Sequence, residues 1–192
     1  MARKKEFDED TLLGKAVELF WKKGYNATSA QDLVDGLGIN RSSLYNTYTD
    51  KRTLFKKALL QYQLTETGAM LNMLATAEDP KATVEQIFAG LIKESVEDNL
   101  LKGCFMVNTA VELAGCDKEI GEIVNKNNQS VEDGLTRLIE KGQQNVQFSN
   151  RNTARALARF VFGNITAIKV AARTGAAESV LQDIADVVLS AL

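Results

Sequence analysis

The chain has 192 residues, 45% of them apolar and 25% charged, and it contains no histidine. It is therefore long enough for one large or two small domains of an ordinary soluble globular protein. Without histidine, Ser-His-Asp and Cys-His nucleophile arrangements are excluded, and the commonest metal ligand is missing. Cys104 and Cys116 lie twelve residues apart, and no glycine-rich phosphate loop is present. We therefore expect no enzyme, no metal site and no cofactor.

The net charge of −2 is unevenly distributed along the chain. Residues 1–57 contain 11 Lys and Arg against 8 Asp and Glu, a net charge of +3, whereas the remainder carries −5. A basic end on an acidic body is compatible with docking to nucleic acid through one face. No run of about 18 apolar residues is present and the charged start lacks a signal sequence, so we expect a cytoplasmic protein without membrane association.

The first seven residues include three basic side chains and are expected to form a solvated tail; the alternative is an arm that contacts phosphates or the minor groove. Asp8 to Lys23 follows with apolar residues at helical spacing, and Gly24 is expected to end this first helix.

The segment from Ser29 to Lys51 predicts two short helices joined by a tight turn. Ser29 is an N-cap for a helix whose apolar stripe comprises Ala30, Leu33, Val34 and Leu37. Gly36 and Gly38 are expected to end that helix. Asn40 can then cap a second helix that buries only Leu44 and Tyr48. The residues expected to face outward are Arg41, Ser42, Ser43, Tyr45, Asn46 and Thr47.

Two short helices with a glycine-containing turn form a helix-turn-helix unit, whose second helix lies in the DNA major groove. The outward residues suit this role, because arginine pairs with guanine, asparagine with adenine, and small hydroxyl residues reach phosphates. Asp50 caps the next helix, so Lys51 lies at a helix N-terminus, which attracts phosphate.

These motifs resemble the DNA-binding domain of TetR-family transcriptional regulators. The matching residues are Gly24-Tyr25, Thr28-Ser29, the run from Leu37 to Tyr48, and Asp50-Lys51. Ser42 and Asn46 depart from the Gly and His that are frequent there, which bears on the operator sequence. We expect contacts to double-stranded operator DNA from Thr28, Ser29, Asn40, Arg41, Ser42, Ser43, Tyr45, Asn46, Thr47, Tyr48 and Lys51.

The rest of the chain predicts only helices, so the expected fold class is all-α. A long helix should run from Asp50 to about Ala77 and link a DNA-binding helix-turn-helix domain, residues 1–51, to a ligand-binding and dimerisation domain, residues 52–192. The further helices are expected from Asp79-Pro80 to near Asn99, between Gly103 and Gly115, from Asp117 to Gly142, from Thr153 to Thr174, and from Gly175 to the end. Asn145 to Asn152 should form a polar connection.

The last two helices have apolar faces wider than one core requires, which indicates a partner surface. The resemblance implies a homodimer through these helices, and a two-fold dimer is what a helix-turn-helix protein needs to read two half-sites.

The resemblance also implies a repressor that a small-molecule effector, of unknown identity, releases from its operator; an activator would share the same DNA-binding domain. The candidate effector contacts are Phe88, Cys104, Phe105, Asn108, Phe162 and Thr166, although each fits an ordinary core as well. Glu112 stands inside an apolar run, so it either meets a cationic group in a pocket or points to solvent.

Cys104 follows Gly103 at the start of a helix, where the dipole favours the reactive thiolate. This stretch also resembles a Gly-Cys segment through which some family members sense electrophiles or oxidants. A thiol-sensing repressor is therefore one hypothesis, and a small buried apolar residue is the alternative.

Overall fold

A computed structural model describes residues 8–97 and 102–192, and these residues form helices and connecting loops without a strand. The helices are α1 (Glu9–Lys23), α2 (Ala30–Leu37), α3 (Arg41–Tyr48), α4 (Lys51–Tyr62), α5 (Gly68–Thr76), α6 (Pro80–Glu97), α7 (Phe105–Leu113), α8 (Lys118–Gln144), α9 (Ala154–Arg173) and α10 (Glu178–Ala191). This confirms the all-α prediction. The N-terminal arm and the predicted end of α6 near Asn99 lie outside the described residues. No described helix is long and apolar enough to cross a membrane.

The short N-terminal helices are fixed by side-chain caps. Ser29 and Asp32 form a reciprocal capping box on α2, and Asn40 accepts a hydrogen bond from the Ser43 amide on α3. The prediction that Gly36 ends α2 is wrong, because the helix continues to Leu37 and ends at Gly38 in the left-handed conformation. A Cβ at Gly36 would lie 3.2 Å from Leu19 Cδ2, so this glycine lets α2 approach α1 closely.

The linking helix is continuous from Lys51 to Thr76, but its middle is a π-helical turn, Gln63–Thr67, between α4 and α5. Such turns interrupt a helix by one extra residue and are frequent at functional sites. The 3.6-residue pattern of the sequence did not reveal this turn.

Two buried apolar clusters hold the molecule together. The first joins α1 to α4 with α7 and the start of α8, and the second lies among α5, α6, α8, α9 and α10. In the first cluster, Phe105 of α7 meets the rings of Phe55 and Tyr62 edge to face, at centroid distances of 5.5 and 5.6 Å. The N-terminal helices therefore share the first cluster with α7 and the start of α8.

The connection between α8 and α9 is mostly polar as expected; of its two apolar residues, Val146 is exposed and Phe148 is buried. Its ring lies so close to Gly142 that a Cβ there would collide with it.

Candidate nucleic-acid interface and ligand cavity

Helix α3 presents a polar face to solvent and two side chains to the core. Leu44 and Tyr48 are 2% and 1% exposed, which holds the helix against its neighbours. The six residues expected to face outward are all exposed or half-buried. The Arg41 guanidinium lies 5.8 Å from the centre of the Tyr45 ring, and Ser42 Oγ donates to Asn40 Oδ1 at 2.7 Å. These six side chains are therefore accessible on α3, as the spacing in the sequence predicted.

Three of the side chains expected to contact DNA are buried or hydrogen-bonded within the protein. Tyr48 is buried, and Thr28 is buried with its hydroxyl donating to Gly24 O at 2.6 Å. Lys51 Nζ donates to the carbonyls of Tyr25 and Thr28, both at 2.9 Å, and lies 4.2 Å from the centre of the Tyr25 ring. The side chains of Thr28 and Tyr48 are thus not part of the outward face, and the half-buried Lys51 is hydrogen-bonded to the adjacent loop.

Glu112 of α7 reaches the loop between α1 and α2. Its carboxylate accepts hydrogen bonds from the backbone amides of Tyr25 at 2.9 Å and Asn26 at 2.6 Å. Both sequence-based alternatives for Glu112 are therefore wrong: its partners are neither a cationic ligand nor water alone. Since Lys51 holds the carbonyls of the same loop, one helix of the body and the linking helix fix it together.

We expect Glu112→Ala to loosen this loop and to lower the melting temperature by roughly 2–6 °C. The change removes two hydrogen bonds to a charged group, which together contribute on the order of 1–2 kcal/mol at a partly exposed site. Calorimetry and amide hydrogen exchange at Tyr25 and Asn26 measure the effect. The matched control is Glu122→Ala, which changes an exposed carboxylate on α8. Unchanged exchange at both amides would contradict the assigned role.

A second link joins the linking helix to the start of α8. Arg52 binds Asp117 at 2.7 Å and Glu119 at 2.8 Å, and Lys56 binds Glu119 at 2.6 Å. The Arg52 guanidinium, together with the Ile120 amide, lowers the pKa of Asp117 from 3.8 to about 2. Because this pKa is depressed in the folded state, the stabilisation is present above the ordinary value and is lost as the pH falls through about 2.

A cavity of about 260 Å³ lies among the linking helix, α6, α7, α8 and α9. Its walls are largely apolar and include Met70, Met73, Met106, Val131, Phe162 and Ile165. Its polar groups include Tyr62, Cys104, Asn127 and Thr166, and the π-helical turn contributes Glu66 and Thr67. A mostly apolar concave site with a few polar groups is typical of small-molecule binding.

The cavity contains half of the residues proposed as effector contacts. Cys104, Phe162 and Thr166 line it. Phe88 and Phe105 do not, because both are buried in the apolar clusters. Asn108 does not line it either. Its Nδ2 donates to Lys102 O at 2.9 Å, and this hydrogen bond fixes the segment that precedes α7. Sequence patterns could not separate wall from core, since both are apolar residues at helical spacing.

Cys104 occupies the N-cap position of α7 and is partly buried. Its Sγ lies 3.6 Å from Tyr62 Oη, so the thiol contacts the linking helix directly. Burial, followed by the neighbouring thiol, raises the pKa of Tyr62 well above its usual range. The phenol is therefore neutral at physiological pH and available for hydrogen bonding.

Comparison with known proteins agrees with this architecture. Residues 12–58 match the family model for bacterial regulatory proteins of the tetR family, and residues 80–187 match the tetracyclin repressor-like C-terminal domain. The uncharacterised HTH-type transcriptional regulator YezE of Bacillus subtilis is 33% identical over the whole of both chains. The HTH-type transcriptional repressor ComR of Escherichia coli is 28% identical, over 97% of this chain and 90% of that protein.

The fold is also that of a solved regulator. A cysteine mutant of the TetR-family regulator CifR, complexed with 26-base-pair operator DNA, superposes with a TM-score of 0.86 at 20% identity and covers 99% of both chains. These relatives are transcriptional regulators rather than enzymes, as the composition predicted. Together, the two family models and the full-length match show that the chain belongs to the TetR family of bacterial transcriptional regulators.

Proposed function

We propose that the chain is a homodimeric, cytoplasmic repressor that binds operator DNA through α3 and leaves it when a small molecule occupies the cavity. The outward face of α3 carries this proposal. In the proposed division, residues 1–51 bind DNA and residues 52–192 bind the effector and dimerise. The proposed DNA contacts are Ser29, Asn40, Arg41, Ser42, Ser43, Tyr45, Asn46 and Thr47.

The chemistry of that face suits direct readout. Arg41 and Asn46 are exposed near opposite ends of α3, and they supply the side chains that pair with guanine and adenine in the major groove. Ser42 and Ser43 are small enough to let the helix approach the groove and to bond phosphate oxygens. The Asn40 cap fixes the start of α3, and the Asp50 cap fixes the start of α4 directly after it.

Exposed apolar stripes on the last two helices support the dimer. On α9 the stripe comprises Ala156, Phe160, Gly163, Ala167 and Val170. On α10 it comprises Val180, the half-buried Ile184, Val187 and Ala191, and Ala177 at the N-cap continues it. Both follow alternating steps of three and four residues, the spacing of helix–helix seams. Phe160 is 40% and Val187 63% exposed in the single chain, so a second copy would bury substantial apolar surface.

The contacts around the cavity provide a route for release. Cys104 and Tyr62 line the cavity and touch each other, so an occupant contacts α7 and the linking helix at once. Helix α7 in turn holds the loop before α2 through Glu112, and α4 carries Lys51 on the same loop. A ligand that favours a shifted α7 would therefore change the position of α3. The decrease in operator affinity is limited by the ratio of the ligand's affinities for the shifted and unshifted arrangements.

A reporter under the control of the chain's own upstream promoter tests the sign of regulation. We expect transcription to rise when the gene is deleted and to fall again when the wild-type chain is restored. Complementation with the Arg41→Ala variant controls for effects that do not pass through DNA. Transcription that falls on deletion would contradict repression and support an activator.

A thiol-sensing repressor is a second candidate, because Cys104 lies on the cavity wall against the linking helix. In this mechanism the thiolate adds to a quinone, one S–C bond forms, and the thiol proton ends on the resulting hydroquinone. The bulky adduct would then separate α7 from Tyr62.

We expect Cys104→Ser to keep operator binding and to lose release by a quinone, if this second candidate is correct. Anisotropy of labelled operator DNA before and after quinone treatment measures both properties. Cys116→Ser, which alters the exposed cysteine, serves as the control. Full release of the Cys104→Ser variant by quinone would remove the thiol mechanism and leave a reversible ligand.

A further inference from the structure

Asn127 is a buried polar residue that lines the cavity. It lies on α8 and is 4% exposed, and its Oδ1 has no hydrogen-bond partner among the described residues. Neighbouring Asn125 and Lys126 of the same helix are exposed, so the burial is specific to this position. A leucine would suit an apolar wall better, and no described residue hydrogen-bonds the carboxamide oxygen.

Buried polar groups in proteins are nearly always hydrogen-bonded, because leaving one unpaired is destabilising. An unpaired amide at the wall of a cavity is therefore explained most directly by a partner that arrives with a ligand. A carboxamide offers an acceptor and a donor, and a half-turn of the amide group exchanges them. A hydroxyl, which both donates and accepts, satisfies either orientation.

The other groups of the wall restrict the charge and size of that ligand. The polar groups of Tyr62, Cys104 and Thr166 are neutral like that of Asn127. The charged residues of the lining are Glu66 and Glu94, which are exposed, and Lys169, which is half-buried, so none of the charged side chains is buried. An ammonium or carboxylate in the interior would need a buried opposite charge. A cavity of about 150 Å³ suffices for benzene, so about 260 Å³ accommodates a ring with a short alkyl chain.

We propose that the effector cavity binds a neutral, mostly apolar molecule whose single hydroxyl hydrogen-bonds the carboxamide of Asn127. The methionines Met70, Met73 and Met106 form adaptable walls around its apolar part. This assignment rests on the proposed function of the cavity as the effector site.

Calorimetry of the purified full chain with 4-propylphenol and 4-propyltoluene tests the proposal. The two probes differ only by a hydroxyl and a methyl group, so the ratio of their dissociation constants reports on that hydroxyl. We expect Asn127→Leu to shift the ratio against the phenol by roughly 5- to 10-fold, because one hydrogen bond is lost. The variant should also melt roughly 2–4 °C higher without ligand.

Asn125→Leu is the matched control, since it adds the same side chain at an exposed position of α8. An unchanged ratio in Asn127→Leu, or absence of phenol binding to the wild type, would overturn the proposal. A variant that melts lower would also overturn it, because Asn127 would then have a partner in the fold. The titration contains no DNA, so a negative result would not count against operator binding. Conversely, a chain that does not bind operator DNA could still show the expected ratio of dissociation constants.

Discussion

Replacing Arg41 by alanine is expected to weaken operator binding by at least about tenfold and to leave the fold intact. A bidentate arginine–guanine pair contributes about 1–3 kcal/mol of discrimination at each half-site. The side chain is exposed, and its guanidinium lies over the Tyr45 ring and forms no ion pair with the described residues. Anisotropy with operator and scrambled duplexes should show the loss mainly for the operator, with little change in melting temperature.

The matched control is Arg137→Ala, which removes an exposed arginine from α8 and should leave DNA binding unchanged. Tyr45→Ala is expected to act in the same direction as Arg41→Ala, because the ring supports the guanidinium and shares the outward face. Specific binding retained in both variants would show that another face of the N-terminal helices reads the DNA.

Disrupting the dimer should have a still larger effect, with operator affinity falling by roughly 10²-fold or more as two linked half-site contacts become independent. Gly163→Arg is the variant of choice. A Cβ at Gly163 meets no atom within 4 Å in the single chain, so the folded subunit tolerates a side chain there. The same arginine would stand in the middle of the exposed stripe of α9 and keep a second copy from approaching.

Sedimentation should find wild-type dimers and Gly163→Arg monomers with the same helical content by circular dichroism. Val146→Asp is a suitable control, because Val146 is 87% exposed but lies in the connection between α8 and α9, away from the stripes. A Gly163→Arg variant that remains dimeric would move the interface elsewhere on the molecule.

The N-terminal helices could be predicted because their determinants are local. Ser29, Asn40 and Asp50 each cap the helix that follows, and Gly38 adopts the left-handed conformation that ends α2. Spacing alone also separated Leu44 and Tyr48 from the outward face. In contrast, Gly36 could not be understood from its own helix, since the close approach of Leu19 explains it.

Long-range contacts explain what the sequence did not reveal. Glu112 reaches amides 86 and 87 residues earlier in the chain, and no local pattern signals such a pairing. Lys51 lies at the helix N-terminus as expected, but its hydrogen bonds to two carbonyls of the α1–α2 loop could not be read from the sequence. Asn127 was missed because it stands in the polar run NKNNQ, residues 125–129, which suggests exposure, and only the fold shows its burial.

Hydroxyl-radical footprinting of the purified chain on its own upstream DNA tests the central claim most directly. The account predicts two protected half-sites, related by two-fold symmetry and centred about one helical turn or a multiple of it apart. Binding should weaken steeply with salt, as phosphate contacts require. Protection of a single half-site, or binding no tighter than to scrambled DNA, would contradict a dimer that reads its operator through α3.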